Sequence, residues 1–323
     1  MLKILPPLVS LLFAAGCGAD SPEASLASLR IVEEFAVTSD SVGIFYRVVG
    51  SGPATVLAPH AHMHGTRLDA LASDSRRLVL YDQRGRGRSD SVPAEKISLS
   101  HLFLDVEAVR QAVGADSVAL IGWSGAGMEL FVYTLRHPGR VTRLVQLAPV
   151  APRWVPYAES LMTSRQARTD SAAAARLNER VRAGEFTGNE AGLCRARAQL
   201  STRASFGDTS LARLAPDVCE WPNEWPGRIG AYFGALLGSI EGMDWRADLD
   251  RVSVPRLVIH GELDNTPLAG NCEWLTGHPS ARLAVIRGAG HWPHYERPEE
   301  TLGLIRAFLE GKRPAGGEAD RCG

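Results

Sequence analysis

Short apolar runs at residues 77–81, 117–122 and 141–147, separated by helix-patterned stretches, constrain this chain more than any other feature. A strand that is apolar on both faces must be covered on both, and a parallel neighbour is reached only by a crossover. Strand, helix, strand in succession therefore predicts an α/β fold, a mostly parallel sheet with helices on both faces. Leu102, Val106, Val109 and Val113 recur at steps of 4, 3 and 4, which places one apolar stripe on a helix with Ser100 as its expected cap. A second helix is expected over 126–137. Residues 31–39 and 42–49 alternate around a polar turn as a hairpin does, and 55–59 is a short apolar run that enters a histidine-rich loop.

The rhythm stops at residue 151 and resumes with strands at 256–260 and 282–287 and a closing helix at 299–310. Residues 31–150 and 251–312 thus form one core. The stretch 151–250 is rich in Ala and Arg and helical in pattern, so it reads as a helical lid inserted over the carboxyl edge of the sheet. Its tryptophans, Trp154, Trp221, Trp225 and Trp245, are expected to line an apolar pocket there. Residues 313–323 form a tail.

Charge excludes one class of partner. Lys+Arg is 35 and Asp+Glu is 36, a net charge of −1, so no basic excess is available for nucleic acid. At the amino end, 1–16 reads as a signal peptide: Lys3, then a largely apolar stretch too short to span a bilayer. Ala14-Ala15-Gly16-Cys17 resembles a bacterial lipobox, which implies export, lipid attachment at Cys17 and a tether over 17–30. Gly18 after that cysteine implies the outer membrane of the cell envelope. The remaining cysteines, Cys194, Cys219, Cys272 and Cys322, are an even set that an oxidising compartment could pair in three ways; the local pairing Cys194 with Cys219 and Cys272 with Cys322 is preferred over the other two and over free thiols.

The chemistry is carried by three motifs, each just after a strand. Gly122-Trp123-Ser124-Gly125-Ala126 has small residues two before and two after the serine, as a sharp strand-to-helix turn requires. Gly261-Glu262-Leu263-Asp264 ends one resumed strand, and Gly288-Ala289-Gly290-His291 ends the next. In this order His291 can deprotonate Ser124 as it attacks a carbonyl, while Asp264 fixes the imidazole tautomer. Glu262 is a lesser candidate for the acid, and His260 and His294 read as packing or loop contacts. The oxyanion donors expected are the backbone N–H groups of Gly125 and of His62, with Thr66 the alternative to His62. His60, His62 and His64 alternate in the loop, but a fourth ligand is missing and no metal is expected. No cofactor is implied.

Leu78 to Asp90, LVLYDQRGRGRSD, resembles the YDQRGxGxS segment of proline iminopeptidases and related serine hydrolases of the α/β-hydrolase superfamily, and the elbow, Asp264 and GAGHWPHYERPE fit the same group. The resemblance covers roughly 31–150 and 250–310. It implies an α/β-hydrolase fold and gives Asp82, Arg84 and Ser89 a structural part. Cys219-Glu220-Trp221-Pro222 is similar to an element of secreted tripeptidyl-aminopeptidase-like hydrolases. That likeness implies that Glu220 and Glu224 bind a substrate's free amino group; Trp123, Trp221 and Trp225 are further candidates for substrate contact. The expected activity is hydrolysis of a carboxylic ester or a small amide or peptide through an acyl-enzyme. The alternatives are a carbon–carbon bond hydrolase or perhydrolase with the same triad, and a non-catalytic binding protein. Oligomeric state has no sequence signature here.

Overall fold

The structure is a computed structural model that describes residues 30–240, 242–312 and 322. Cys17, the leader, nearly all of the expected tether and all of the tail except Cys322 lie outside the described residues. Strand β1 (Ile31–Val37) pairs antiparallel with the start of β2 (Gly43–Pro59), Ile31 facing Val49 and Val37 facing Gly43. The hairpin read from the alternation is therefore present, but β2 continues to include the apolar run 55–59. It turns back around β3 (Arg76–Tyr81): Tyr46 faces Tyr81 and Val49 faces Leu78, then Val56 faces Leu78 and Pro59 faces Tyr81. Glycine permits the reversal. Gly50 takes φ +80°, and a Cβ on Gly52 would stand 1.9 Å from the Arg76 amide nitrogen.

Four more parallel strands extend the sheet: β4 (Val118–Trp123), β5 (Val141–Leu147), β6 (Arg256–Gly261) and β7 (Ala281–Ile286). The order is β1-β2-β4-β5-β6-β7, with β3 on β2. Successive residues along these strands point to opposite faces and enter separate cores. Leu120, Leu144 and Val258 join the cluster under α2 (Leu99–Ala112) and α3 (Gly125–Arg136). Ile121, Val145 and Ile259 join the cluster that contains Leu302, Ile305 and Phe308 of the closing helix. Each such buried Leu or Ile contributes about 1.5–3 kcal/mol, which is why both faces read as apolar in the sequence.

A single-turn helix, α1 (Ala61–His64), follows β2. The cap of α2 is Ser98, whose Oγ accepts the His101 N–H, and not Ser100, which stands one position inside the helix. Between β5 and β6 the inserted segment holds α4 (Tyr157–Arg168), α5 (Ser171–Arg182), α6 (Glu190–Ser205) and α7 (Pro226–Ile240). Tyr232, Leu236 and Ile240 of α7 are buried in the core beneath them. After β6 come α8 (Leu268–Cys272), α9 (Pro293–Glu296) and α10 (Pro298–Leu309). Disulfides join Cys194 to Cys219 and Cys272 to Cys322. Among the described residues, no helix is long and apolar enough to cross a membrane.

Candidate active site

The carboxyl ends of β4, β6 and β7 bring the three sequence motifs together. Ser124 sits between β4 and α3 at φ +57°, a left-handed conformation that pushes a non-glycine side chain out of a tight turn. The turn is tight because the chain crosses itself closely: a Cβ on Gly122 would lie 2.4 Å from the Ala126 carbonyl oxygen. The Ser124 N–H donates to the Leu147 carbonyl at 2.9 Å, which ties the elbow to β5. Gly261 and Gly290 are also matched, since a Cβ on Gly261 would stand 2.0 Å from the Gly290 oxygen. Only glycine lets the Asp264 and His291 loops approach this closely.

Across that approach the side chains form a relay. His291 Nε2 is 2.9 Å from Ser124 Oγ, and His291 Nδ1 is 3.0 and 3.1 Å from the two oxygens of Asp264. Asp264 is sealed from solvent at its side chain, whereas His291 retains 16% exposure. Burial works against the charge on Asp264, but the His291 ring and the Thr266 N–H outweigh it and hold the carboxyl below its ordinary value. Glu262 faces elsewhere and accepts the Gly288 N–H at 2.9 Å. His260 is buried and meets Asn271 at 2.7 Å. His294 is buried beside His64, 3.3 Å away.

The histidine loop does something the sequence did not suggest. The His62 N–H donates to Asp82 Oδ1 at 2.8 Å, so it is not free to serve as the oxyanion donor expected of it. The ring is also committed, with Nδ1 2.7 Å from Asp82 Oδ1 and Nε2 3.1 Å from Glu224 Oε1. Burial alone would lower His62, but Glu224 and Asp82 on either side reverse this and push it up to about 9. His60 and His64 lack such partners, and burial keeps both neutral, His64 down to about 3. Thr66, the alternative donor, is exposed. Among the described residues, Gly125 at the start of α3 and Ala61 at the start of α1 donate no backbone hydrogen bond, as do their neighbours Ala126 and His60.

The residues expected to bind substrate scatter. Glu224 is 5% exposed and accepts Arg86 Nε at 2.9 Å, Arg86 Nη2 at 3.0 Å and the Gly87 N–H at 2.9 Å. Burial opposes its charge, yet Arg86 and His62 hold it far below the usual carboxylate range. It fastens the inserted segment to the core and has no coordination left for a substrate amine. Glu220 is exposed. Trp123 lies beneath the relay, its Nε1 donating to the His291 carbonyl at 2.8 Å and its ring 4.3 Å from Trp292. Trp225 donates to the Cys219 carbonyl. Trp221 lines an outer groove of about 680 Å³ with Phe35, Phe45 and Arg88, while Trp154 and Trp245 close a small hollow with Met128 and Ile240. The four tryptophans therefore do not converge on one pocket.

One buried carboxyl was missed. Glu129 stands one turn beyond Gly125, and Gln83 Nε2 donates to its Oε2 at 2.7 Å. Its signal was a lone charge inside the apolar stretch Met128 to Val132.

A family model described as the alpha/beta hydrolase fold matches residues 66–298. The chain belongs to that family. It is similar to non-heme haloperoxidase of Rhodococcus erythropolis, 28% identical over 295 residues that cover 85% of this chain and 99% of the relative. It is also similar to proline iminopeptidase of Lactobacillus delbrueckii subsp. bulgaricus, 26% identical over 300 residues covering 82% and 93%. Among solved structures, an esterase from Exiguobacterium antarcticum superposes with a TM-score of 0.65 at 18% identity, over 86% of this chain and 100% of the other. The protein is an enzyme, a hydrolase of the α/β-hydrolase superfamily.

Proposed function

We propose that the protein is a serine hydrolase that cleaves a carboxylic ester or a small amide through an acyl-enzyme on Ser124. The observation that carries this is the continuous relay from Ser124 Oγ through His291 to buried Asp264, at 2.9 and 3.0 Å. His291 takes the serine proton during attack, and Asp264 holds the ring in the tautomer with Nε2 free to accept. The oxyanion is received by the N–H groups of Gly125 and Ala61, neither of which bonds a carbonyl. His291 then returns the proton to the leaving group, and water repeats the sequence to release the acid. Residues 151–250 act as a lid, held down by Glu224 on Arg86 and His62. The test is covalent labelling by a fluorophosphonate, expected on Ser124 of the wild type and absent in Ser124→Ala; labelling that persists in the variant refutes the assignment.

The mature chain is further proposed to begin at a lipid-modified Cys17 and to reside at the outer membrane. The lipobox resemblance supports this, and a multiply acylated cysteine is a stable anchor at about 0.8 kcal/mol per buried CH₂.

A further inference from the structure

The β1 edge of the sheet carries apolar side chains for which the triad has no use. β1 pairs with β2 on one side only, and every second side chain along it shares a face. On that face Ile31, Phe35 and Val37 are 55%, 57% and 72% exposed, a row of large hydrophobes where scattered single ones are the norm. Phe35 meets Phe45 at 5.6 Å between ring centres. Both rings line the outer groove of about 680 Å³ together with Trp221 and Pro222, and its charged residues are Arg88, Arg228 and Glu33. The Arg88 guanidinium lies 3.5 Å over the Phe45 ring and 5.3 Å over that of Trp221, and it pairs with Glu33 at 3.1 Å. Arg228 donates to the Ser91 hydroxyl oxygen at 2.5 Å and has no carboxylate partner among the described residues. Glu33 is thus neutralised, and the groove keeps one uncompensated cation beside its aromatic rings.

We infer that this face lies on a phospholipid bilayer, with Ile31, Phe35 and Val37 at the boundary between headgroups and acyl chains and with Arg228 and Arg88 on lipid phosphates. The inference rests on the reading of Cys17 as a lipid anchor and is independent of the triad. Two observations name the bilayer as occupant. The first is where the chain enters the fold. Fourteen positions separate Cys17 from Ile31, so an anchored cysteine holds the first residue of β1 within about 50 Å of the membrane. The exposed row begins at that same residue, and a tether raises the local concentration of the bilayer most at the surface where it attaches. The second is charge. A guanidinium without a counter-ion, set among aromatic rings, suits phosphates lying above hydrocarbon, since the cation meets the anion while the rings take the apolar boundary. A second copy of the chain on this face would bring the same positive charge with it.

The experiment uses the native, membrane-extracted protein in vesicles of phosphatidylethanolamine and phosphatidylglycerol, after mass spectrometry of Cys17. A nitroxide is placed on Val37→Cys and, as control, on Arg287→Cys, which follows β7 at the other end of the strand order. Power saturation with oxygen and with a water-soluble nickel chelate measures access from lipid and from water. The oxygen-to-nickel ratio at position 37 is expected to exceed that at position 287 several-fold. Adding Phe35→Asp to Val37→Cys should bring the ratio down to the control value, because a carboxylate then faces the lipid phosphates; fluorophosphonate labelling of Ser124 checks that this chain is folded, and Ile31→Asp replaces Phe35→Asp if it is not. Equal ratios at 37 and 287 with Cys17 acylated overturn the docking face and leave the anchor standing. A ratio that stays high in the aspartate variant overturns it too, as does dipolar broadening between labels at 37, the mark of a second copy on this face. An unmodified Cys17 overturns the anchor and this inference together.

Discussion

Replacing Glu224 by glutamine strikes the point where the inserted segment meets the core. The carboxylate accepts two N–H groups of Arg86 and one of Gly87 and sits 3.1 Å from the His62 ring, all out of water. Glutamine keeps an acceptor of the same shape but leaves Arg86 without a counter-charge. Breaking a buried pair from one side costs about 3–5 kcal/mol, and the acceptor that remains places this case near the lower end. Unfolding entropy of about 2 cal/mol/K per residue over a chain of 323 residues is roughly 0.65 kcal/mol/K, so Tm should fall by about 5 °C.

The pH dependence supplies the second arm of the test. His62 is raised from 6.5 to about 9, so the stability it contributes is fully present below pH 6.5 and is lost as pH rises through about 9. A rise of that size corresponds to about 3 kcal/mol. In Glu224→Gln only Asp82 remains to hold the imidazolium, and the loss begins at lower pH. Thermal unfolding followed by circular dichroism should therefore give a wide gap between wild type and variant at neutral pH that narrows in alkali. A gap below about 1 °C at neutral pH, or one that does not change with pH, would show that this charge cluster does not hold the lid.

Asp264→Asn should fold normally and lose about 10⁴-fold in kcat, because the wrong imidazole tautomer faces Ser124; a loss within tenfold would mean that the relay is not the machinery. Gly122→Ala places a methyl 2.4 Å from the Ala126 carbonyl oxygen, and the backbone shift this forces should cost about 3 kcal/mol, read as a lower denaturation midpoint. An unchanged midpoint refutes the close crossing at the elbow. Mass spectrometry of the native protein should find Cys17 acylated at the new amino terminus, and a leader left in place or an unmodified Cys17 counts against the anchor.

The sheet was legible because burial on both faces writes itself as uninterrupted apolar runs. Residues 141–147 were bounded as the structure has them, and 117–122 to within a residue. What composition could not convey was that Gly43 to Pro59 is one strand doubled around β3, since the reversal at Gly50 and Gly52 depends on the approach of Arg76. The three relay residues were legible as motifs at strand ends. His62 was not: the group that captures its N–H is Asp82, 20 residues away, and its ring meets Glu224 from the lid. Glu224 failed as an amine site for the same reason, because nothing local to Cys219-Glu220-Trp221-Pro222 announces Arg86 at its back. Ser98 displaced Ser100 as cap by a shift of two residues, where either hydroxyl satisfies the pattern.

The placement of the two disulfides has a consequence for rebuilding the enzyme. Cys194–Cys219 closes within the inserted segment, and Cys272–Cys322 closes after it; neither crosses from one part to the other. Each part is stapled to itself, while contacts between them are reversible ones such as Glu224 with Arg86 and Asn223 Nδ2 with the Ser89 carbonyl at 2.8 Å. A foreign segment can thus be grafted between residues 151 and 250 without reshuffling any cross-link of the scaffold, provided that it carries its own staple, an acidic side chain for Arg86 and apolar side chains that refill the core positions of Tyr232, Leu236 and Ile240.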